Sequence, residues 1–172
     1  MGFLNRSVIV IALLAGSITL VTAGGQAAVE PRLKQLFPAA TAFSPKEGDP
    51  PHFKAYGGSG GAKAVIGYAF WTTELSPLER GYGGPIAMLV GVDSKGVMTG
   101  VVMGEHHEPY GDFSIDRREF AATFRNKDIR DPFRLGEDVD AVSRATITMS
   151  SAVRAIRNSA RRVARQFIAP PK

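Results

Sequence analysis

The sequence predicts an α+β domain: a mainly antiparallel, twisted sheet, flanking helices and an amphipathic helix near the C-terminus. Three observations predict it. Val153, Ile156, Ala160, Val163 and Phe167 recur in steps of three and four, with arginines on the remaining surface. Two apolar, β-branched runs, 86–92 and 97–104, flank Asp93-Ser94-Lys95-Gly96, the composition of a hairpin turn. At 172 residues and 44% apolar content, the chain can bury one core.

The elements follow in order. Val29, Leu33, Leu36 and Phe37 have helical spacing over 29–43, and Pro38 breaks the helix. Residues 44–51 are a loop with three prolines. Residues 52–56 alternate as a strand, Gly57 to Gly61 form a flexible turn, and residues 64–72 are a strand rich in Val, Ile, Tyr, Phe and Trp. Gly81-Tyr82-Gly83-Gly84-Pro85 is a tight turn. Both arms of the hairpin that follows are apolar on both faces, which predicts a central place in the sheet. Phe120, Ala121 and Phe124 predict a short helix over 116–126, and 128–137 is a loop or short strand. The last helix is expected over 150–167, ahead of Pro170-Pro171.

The N-terminus is a targeting segment. Arg6 precedes an apolar stretch from Val8 to Val21, and no charge occurs from Ser7 to Val29. Small residues at Val21-Thr22-Ala23 and Gly25-Gln26-Ala27 suit signal peptidase, and the stretch is also long enough for an uncleaved anchor. Residues 1–28 are therefore a signal peptide or membrane anchor, and residues 29–172 an exported domain in the periplasm or a comparable extracytoplasmic space. Arg6 on the short side sets that orientation.

Charge is uneven. Residues 117–172 carry 13 Lys and Arg against 6 Asp and Glu, whereas residues 1–116 carry 8 against 10. Export argues against nucleic acid as the reason. A solvated helix face, a membrane surface or an anionic ligand accounts for it. The chain has no cysteine, which excludes disulfides, thiol catalysis and iron–sulfur clusters on its own residues.

Glu105-His106-His107-Glu108 invites a metal reading. If the strand ending at Gly104 continues through it, each face offers one histidine and one carboxylate, too few for a closed site. No nucleophile motif accompanies these residues, so no catalytic residue and no metal site is expected. Asp140-Ala141-Val142-Ser143-Arg144-Ala145-Thr146 ends in a hydroxyl just before the last helix. A phosphate on Thr146 would meet unpaired backbone N–H groups and the positive end of the helix dipole. The plain alternative is that Thr146 belongs to a helix cap.

In order along residues 33–167, these segments resemble the FMN-binding domain family: Leu36-Phe37-Pro38, Glu47-Gly48-Asp49-Pro50-Pro51, Val65 to Phe70, Gly81 to Ile86, Gly96 to Gly100, Glu105-His106-His107-Glu108-Pro109 and Asp140 to Thr146. The family includes flavin subunits of the Rnf and sodium-translocating NADH:quinone oxidoreductase complexes. The resemblance is nearest to the periplasmic FMN domain of the NosR type. It implies that Thr146 is esterified to the FMN phosphate by a periplasmic transferase that uses FAD and Mg2+, with Asp140, Ser143 and Ala145 as motif members. It places Gly83, Gly84, Pro85 and Glu108 near the flavin, and implies electron-transfer partners in other chains, at the membrane or in the periplasm. The aromatic set Tyr68, Phe70, Trp71 and Tyr82 is the candidate lining for the ring, against the commoner role of strand aromatics as core. One departure stands out: Arg144 replaces the usual motif glycine, where glycine would permit positive φ. The resulting expectation is a covalent flavin carrier. The alternatives are a regulatory or assembly factor of a respiratory system, or a binding module that has lost its flavin.

Overall fold

Five strands form one antiparallel meander in the computed structural model, which describes residues 23–58, 64–141 and 143–168. They are β1 (Ala42–Phe43), β2 (Phe53–Gly57), β3 (Ala64–Trp71), β4 (Met88–Asp93) and β5 (Met98–Met103), and they lie side by side in chain order. The helices are α1 (Ala23–Leu36), α2 (Thr72–Leu75), α3 (Arg118–Thr123) and α4 (Thr146–Phe167). The architecture is the expected α+β domain. The apolar segment before residue 23, most of the glycine turn after Gly58, Val142 and Pro170-Pro171 lie outside the described residues. No helix among the described residues is long and apolar enough to cross a membrane.

Both faces of the sheet are covered. Phe70, Met88, Val90, Val92 and Met98 point to one side and pack with Met149, Val153, Ile156, Ala160 and Val163 of α4. Phe53, Ala55, Ala69 and Leu89 point to the other and pack with Val29, Leu33, Leu36 and Phe37. The alternation of strand side chains produces this division directly. Gly67 and Gly91 admit the helix on the second side, since a Cβ on Gly67 would lie 2.4 Å from the Phe37 ring.

That sandwich corrects one expectation. The β4–β5 hairpin is apolar on both faces because α1 and α4 cover both, yet it sits at an end of the sheet, with β5 as the edge strand. The loop after α3 closes that edge. Met98 N–H donates to Lys127 O, Asn126 N–H to Met98 O and Ile129 N–H to Gly96 O, at 2.8–3.0 Å. The hairpin turn is built as its sequence suggests: Asp93 Oδ1 accepts from the N–H groups of Lys95 and Val97, and Gly96 has φ 90°.

The first helix stops at Leu36, two residues ahead of Pro38, the expected break, and the rest of the stretch to residue 43 is not helical. The last begins at Thr146, four residues earlier than its periodicity indicates. Ile147 and Thr148 are weak helix formers, so propensity hides this first turn. Packing overrides it, because Met149 is buried in the core and its N–H donates to Ala145 O.

Candidate functional site

The site is assembled where three segments meet: the glycine turn of the β3–β4 connection, the strap after β5, and the start of α4. α2 begins the connection directly after β3, and Thr72 anchors it, with Oγ1 donating to Ile86 O and accepting from Met88 N–H. Between these anchors the chain turns tightly, with Gly81 N–H donating to Gly84 O at 2.8 Å and Arg80 bridging Pro85. Gly83 must be glycine here, because a Cβ would fall 1.9 Å from the carbonyl oxygen of His107. Gly84 has φ 126° and faces open space.

Glu108 is the hub. It is only 8% exposed, and its carboxylate accepts from Tyr82 N–H at 3.0 Å, from Gly83 N–H at 2.8 Å and from the hydroxyl of Thr148. Three neutral donors thus hold the buried carboxylate. Backbone pairing beyond β5 reaches only to Glu105, whose carbonyl accepts from Ala87 N–H at 3.0 Å, so the strict facing of Glu105 to Glu108 does not apply to the strap. His106 turns to Asp116, with Nε2 at 2.8 Å from Oδ1, while its Nδ1 accepts from Glu108 N–H at 3.2 Å. That assigns the proton to Nε2. No cluster of three potential metal ligands occurs among the described residues.

Thr146 is the first residue of α4 and is exposed. It is not a cap: Ala145 occupies that position, and no side chain caps the helix start. Thr148, two residues on, is 2% exposed. Ala145 is buried in the core and pins the preceding loop, whereas Asp140 and Ser143 are exposed. Arg144 has φ 71°, so arginine adopts the left-handed conformation that the replaced glycine would supply. The departure in the motif therefore preserves the turn.

A cleft of about 420 Å³ adjoins this loop, lined by Tyr110, Phe113, Arg117, Ser143, Arg144 and Ala145. Its size falls within the range of small-molecule sites. Tyr110 and Phe113 are 50% and 60% exposed, high for large apolar side chains without a ligand to cover them. The aromatics singled out in the sequence are elsewhere. Phe70 is fully buried in the α4 core, Trp71 packs on the α1 side beneath Arg32, and Tyr68 stacks on Phe167 next to His52. Strand alternation separates Phe70 from Trp71, and only Tyr82 stands exposed, on the glycine turn. Thr148, Tyr110, Phe113, Arg117 and Asp116 escaped the sequence reading. Tyr110 and Phe113 carried one usable signal, large apolar residues inside the polar loop 109–114.

Most of the α4 arginines are structural. Arg154 pairs with Glu79 at 2.9 Å, Arg161 donates to the carbonyls of Ile129 and Asp131, and Arg162 to those near α2 and to Asp49. Burial lowers the pKa of Arg161, and neighbouring Arg157 and Arg165 add to that effect.

Two comparisons bear on the site. The profile of the FMN-binding domain family matches residues 81–161, from the glycine turn into α4. The chain is also 31% identical over 133 residues to the regulatory protein NosR of Stutzerimonas stutzeri, across 72% of this chain. It spans only 18% of the length of that relative.

Proposed function

This chain belongs to the FMN-binding domain family, and on that premise we propose that it is an exported electron carrier with FMN esterified to Thr146. FMN binding follows from the family. The covalent bond, the redox role and the location are our reading. One observation carries it: Thr146 presents an exposed hydroxyl at an uncapped helix start beside a cleft with two exposed aromatic rings.

The residues present suit the group. The phosphodiester retains one negative charge, which the free N–H groups and dipole of α4 stabilise, with Arg144 and Arg117 on the cleft wall. Tyr110 and Phe113 offer flat apolar surface to the ring. When bound, the flavin supplies the redox chemistry, and the protein supplies orientation, charge and exclusion of water.

Attachment balances as a transfer from FAD. Thr146 Oγ forms a bond to the FMN phosphorus, the pyrophosphate P–O bond breaks, AMP leaves, and the hydroxyl proton passes to a base of the transferase. That enzyme, with Mg2+, is the first proposed partner. Redox proteins in other chains, at the membrane or in the periplasm, are the second. The apolar segment from Val8 to Val21 supports export. A carrier outside the cytoplasm is not readily resupplied with free FMN, so a covalent tether prevents its loss.

A regulatory role is the second reading, favoured by the name of the relative, a regulatory protein. Both roles use the same bound flavin. Fluorescence of the denatured protein in a gel tests the attachment, with wild type and Thr146→Ala each exported alongside the transferase. The wild-type band fluoresces and the variant is dark; equal fluorescence removes Thr146 as the site. Electron transfer to membranes by the purified, flavin-loaded protein then separates carrier from regulator.

A further inference from the structure

We propose that Glu108 is a positioning residue for flavin attachment, acting through Thr148 to aim Thr146 outward and to exclude Thr148 as an acceptor. This rests on the reading of Thr146 as the attachment site. Two hydroxyls stand at the start of α4, two residues apart. Two helical residues subtend about 200°, so one faces inward when the other faces outward. Thr148 is the one that faces inward. Its hydroxyl proton is committed to the Glu108 carboxylate, and the residue is buried.

That bond acts together with the buried Met149 to set the rotation of the first turn about the helix axis. Thr146 and Ile147 are exposed, and among the described residues no side-chain hydrogen bond ties either to the body of the protein. Glu108 in turn cannot drift. The Tyr82 and Gly83 N–H groups hold its two oxygens, and the His106–Asp116 pair fixes its own backbone through His106 Nδ1. The glycine turn, the strap and the helix start are thereby registered to one carboxylate. A Cβ at Gly81 would lie 2.2 Å from Glu108 Oε1, so the turn leaves that oxygen no room to swing.

The attacking hydroxyl is thus oriented by a residue that never touches the flavin phosphate. Misplacement of a reacting group by a fraction of a helical turn lowers the rate constant far more than it lowers binding. The effect belongs on kcat of the transfer, not on KM for the acceptor protein.

The test uses the full chain with purified transferase, FAD and Mg2+. Wild type, Glu108→Gln, Thr148→Val and Thr148→Ser are compared by the initial rate of the fluorescent band as acceptor concentration varies. Peptide mass locates the label, and near-ultraviolet circular dichroism reports the fold. In wild type the label is on Thr146 alone. Thr148→Val and Glu108→Gln lower kcat by about tenfold with KM little changed. Thr148→Ser, which keeps the hydroxyl, restores it. If Glu108→Gln unfolds, Thr148→Val alone decides, since it removes one oxygen and keeps the shape. A folded Thr148→Val labelled at the wild-type kcat overturns the proposal. So does a change confined to KM, or a Thr148→Ser no faster than Thr148→Val. Wild type that accepts no label at all overturns the reading of Thr146 instead.

Discussion

At its C-terminal end α4 is tied down by Arg161, Arg162 and Gln166, which donate to the carbonyls of Ile129, Asp131, Leu75 and Asp49, and by Phe167, stacked on Tyr68. At its N-terminal end the hydroxyl of Thr148 donates to Glu108, and Met149 is buried in the core. Thr146 and Ile147 stand in solvent there, and no cap closes the helix. The far end is held by several polar ties as well as packing, and the near end by packing and the Thr148–Glu108 bond, with its outer face left open. A rigid rod with one sparsely held tip lets that tip be shaped for a ligand while the core bears the stability.

Substitutions at the two ends should separate these roles. The largest effect belongs to Thr146→Ala, which abolishes covalent flavin yet leaves the unfolding free energy of the apoprotein in urea within about 0.5 kcal/mol of wild type. Ile156→Ala, in the middle of the same helix, does the reverse. It deletes a fully buried side chain and destabilises by about 3 kcal/mol in urea unfolding, while the folded fraction still takes flavin. A Thr146→Ala protein that unfolds, or an Ile156→Ala protein that folds but stays dark, would break the division.

Smaller changes sharpen it. Arg144→Gly relieves a left-handed residue and should raise stability by up to about 1 kcal/mol with attachment intact. Failure to take flavin would show that the guanidinium, not the turn, is what the site requires. The smallest effect lies on the edge-closing loop. The side chain of Arg130 donates to Asp128 and lowers its pKa to about 2. A depressed folded value stabilises above the ordinary pKa of 3.8 and is lost as pH falls from there towards 2. The pair faces solvent, so Asp128→Asn should lower Tm by about 2 °C or less at neutral pH, with the effect fading as pH falls through about 2. Amide exchange of Met98 and Ile129 would register the same loosening.

Periodicity carried most of the fold in the sequence. The β3 run, the hairpin around Asp93 and Gly96, and the body of α4 all have one dominant spacing, and each stands where it was expected. Elements without a period were hidden. α2 spans four residues, and the first turn of α4 consists of residues that disfavour helix outside tertiary context. The hairpin was misplaced within the sheet because two-sided burial has two causes, flanking strands or flanking helices, and one strand cannot distinguish them. At the site, Gly83, Thr146 and Glu108 were visible as residues. What Glu108 does was not, since its partner Thr148 lies 40 positions away. Phe70 and Trp71 took the commoner role of strand aromatics, core, and alternation says only which side chains share a face, not which face a ligand reaches.

The closed sheet edge has a consequence for company. The loop of residues 126–129 uses the hydrogen-bonding groups along the start of β5, and β1, at the opposite edge, is only two residues long. Neither border offers another polypeptide a long ladder to extend. The proposed partners would therefore meet this protein mainly side chain to side chain. Such contacts would let the proposed carrier exchange one partner for another.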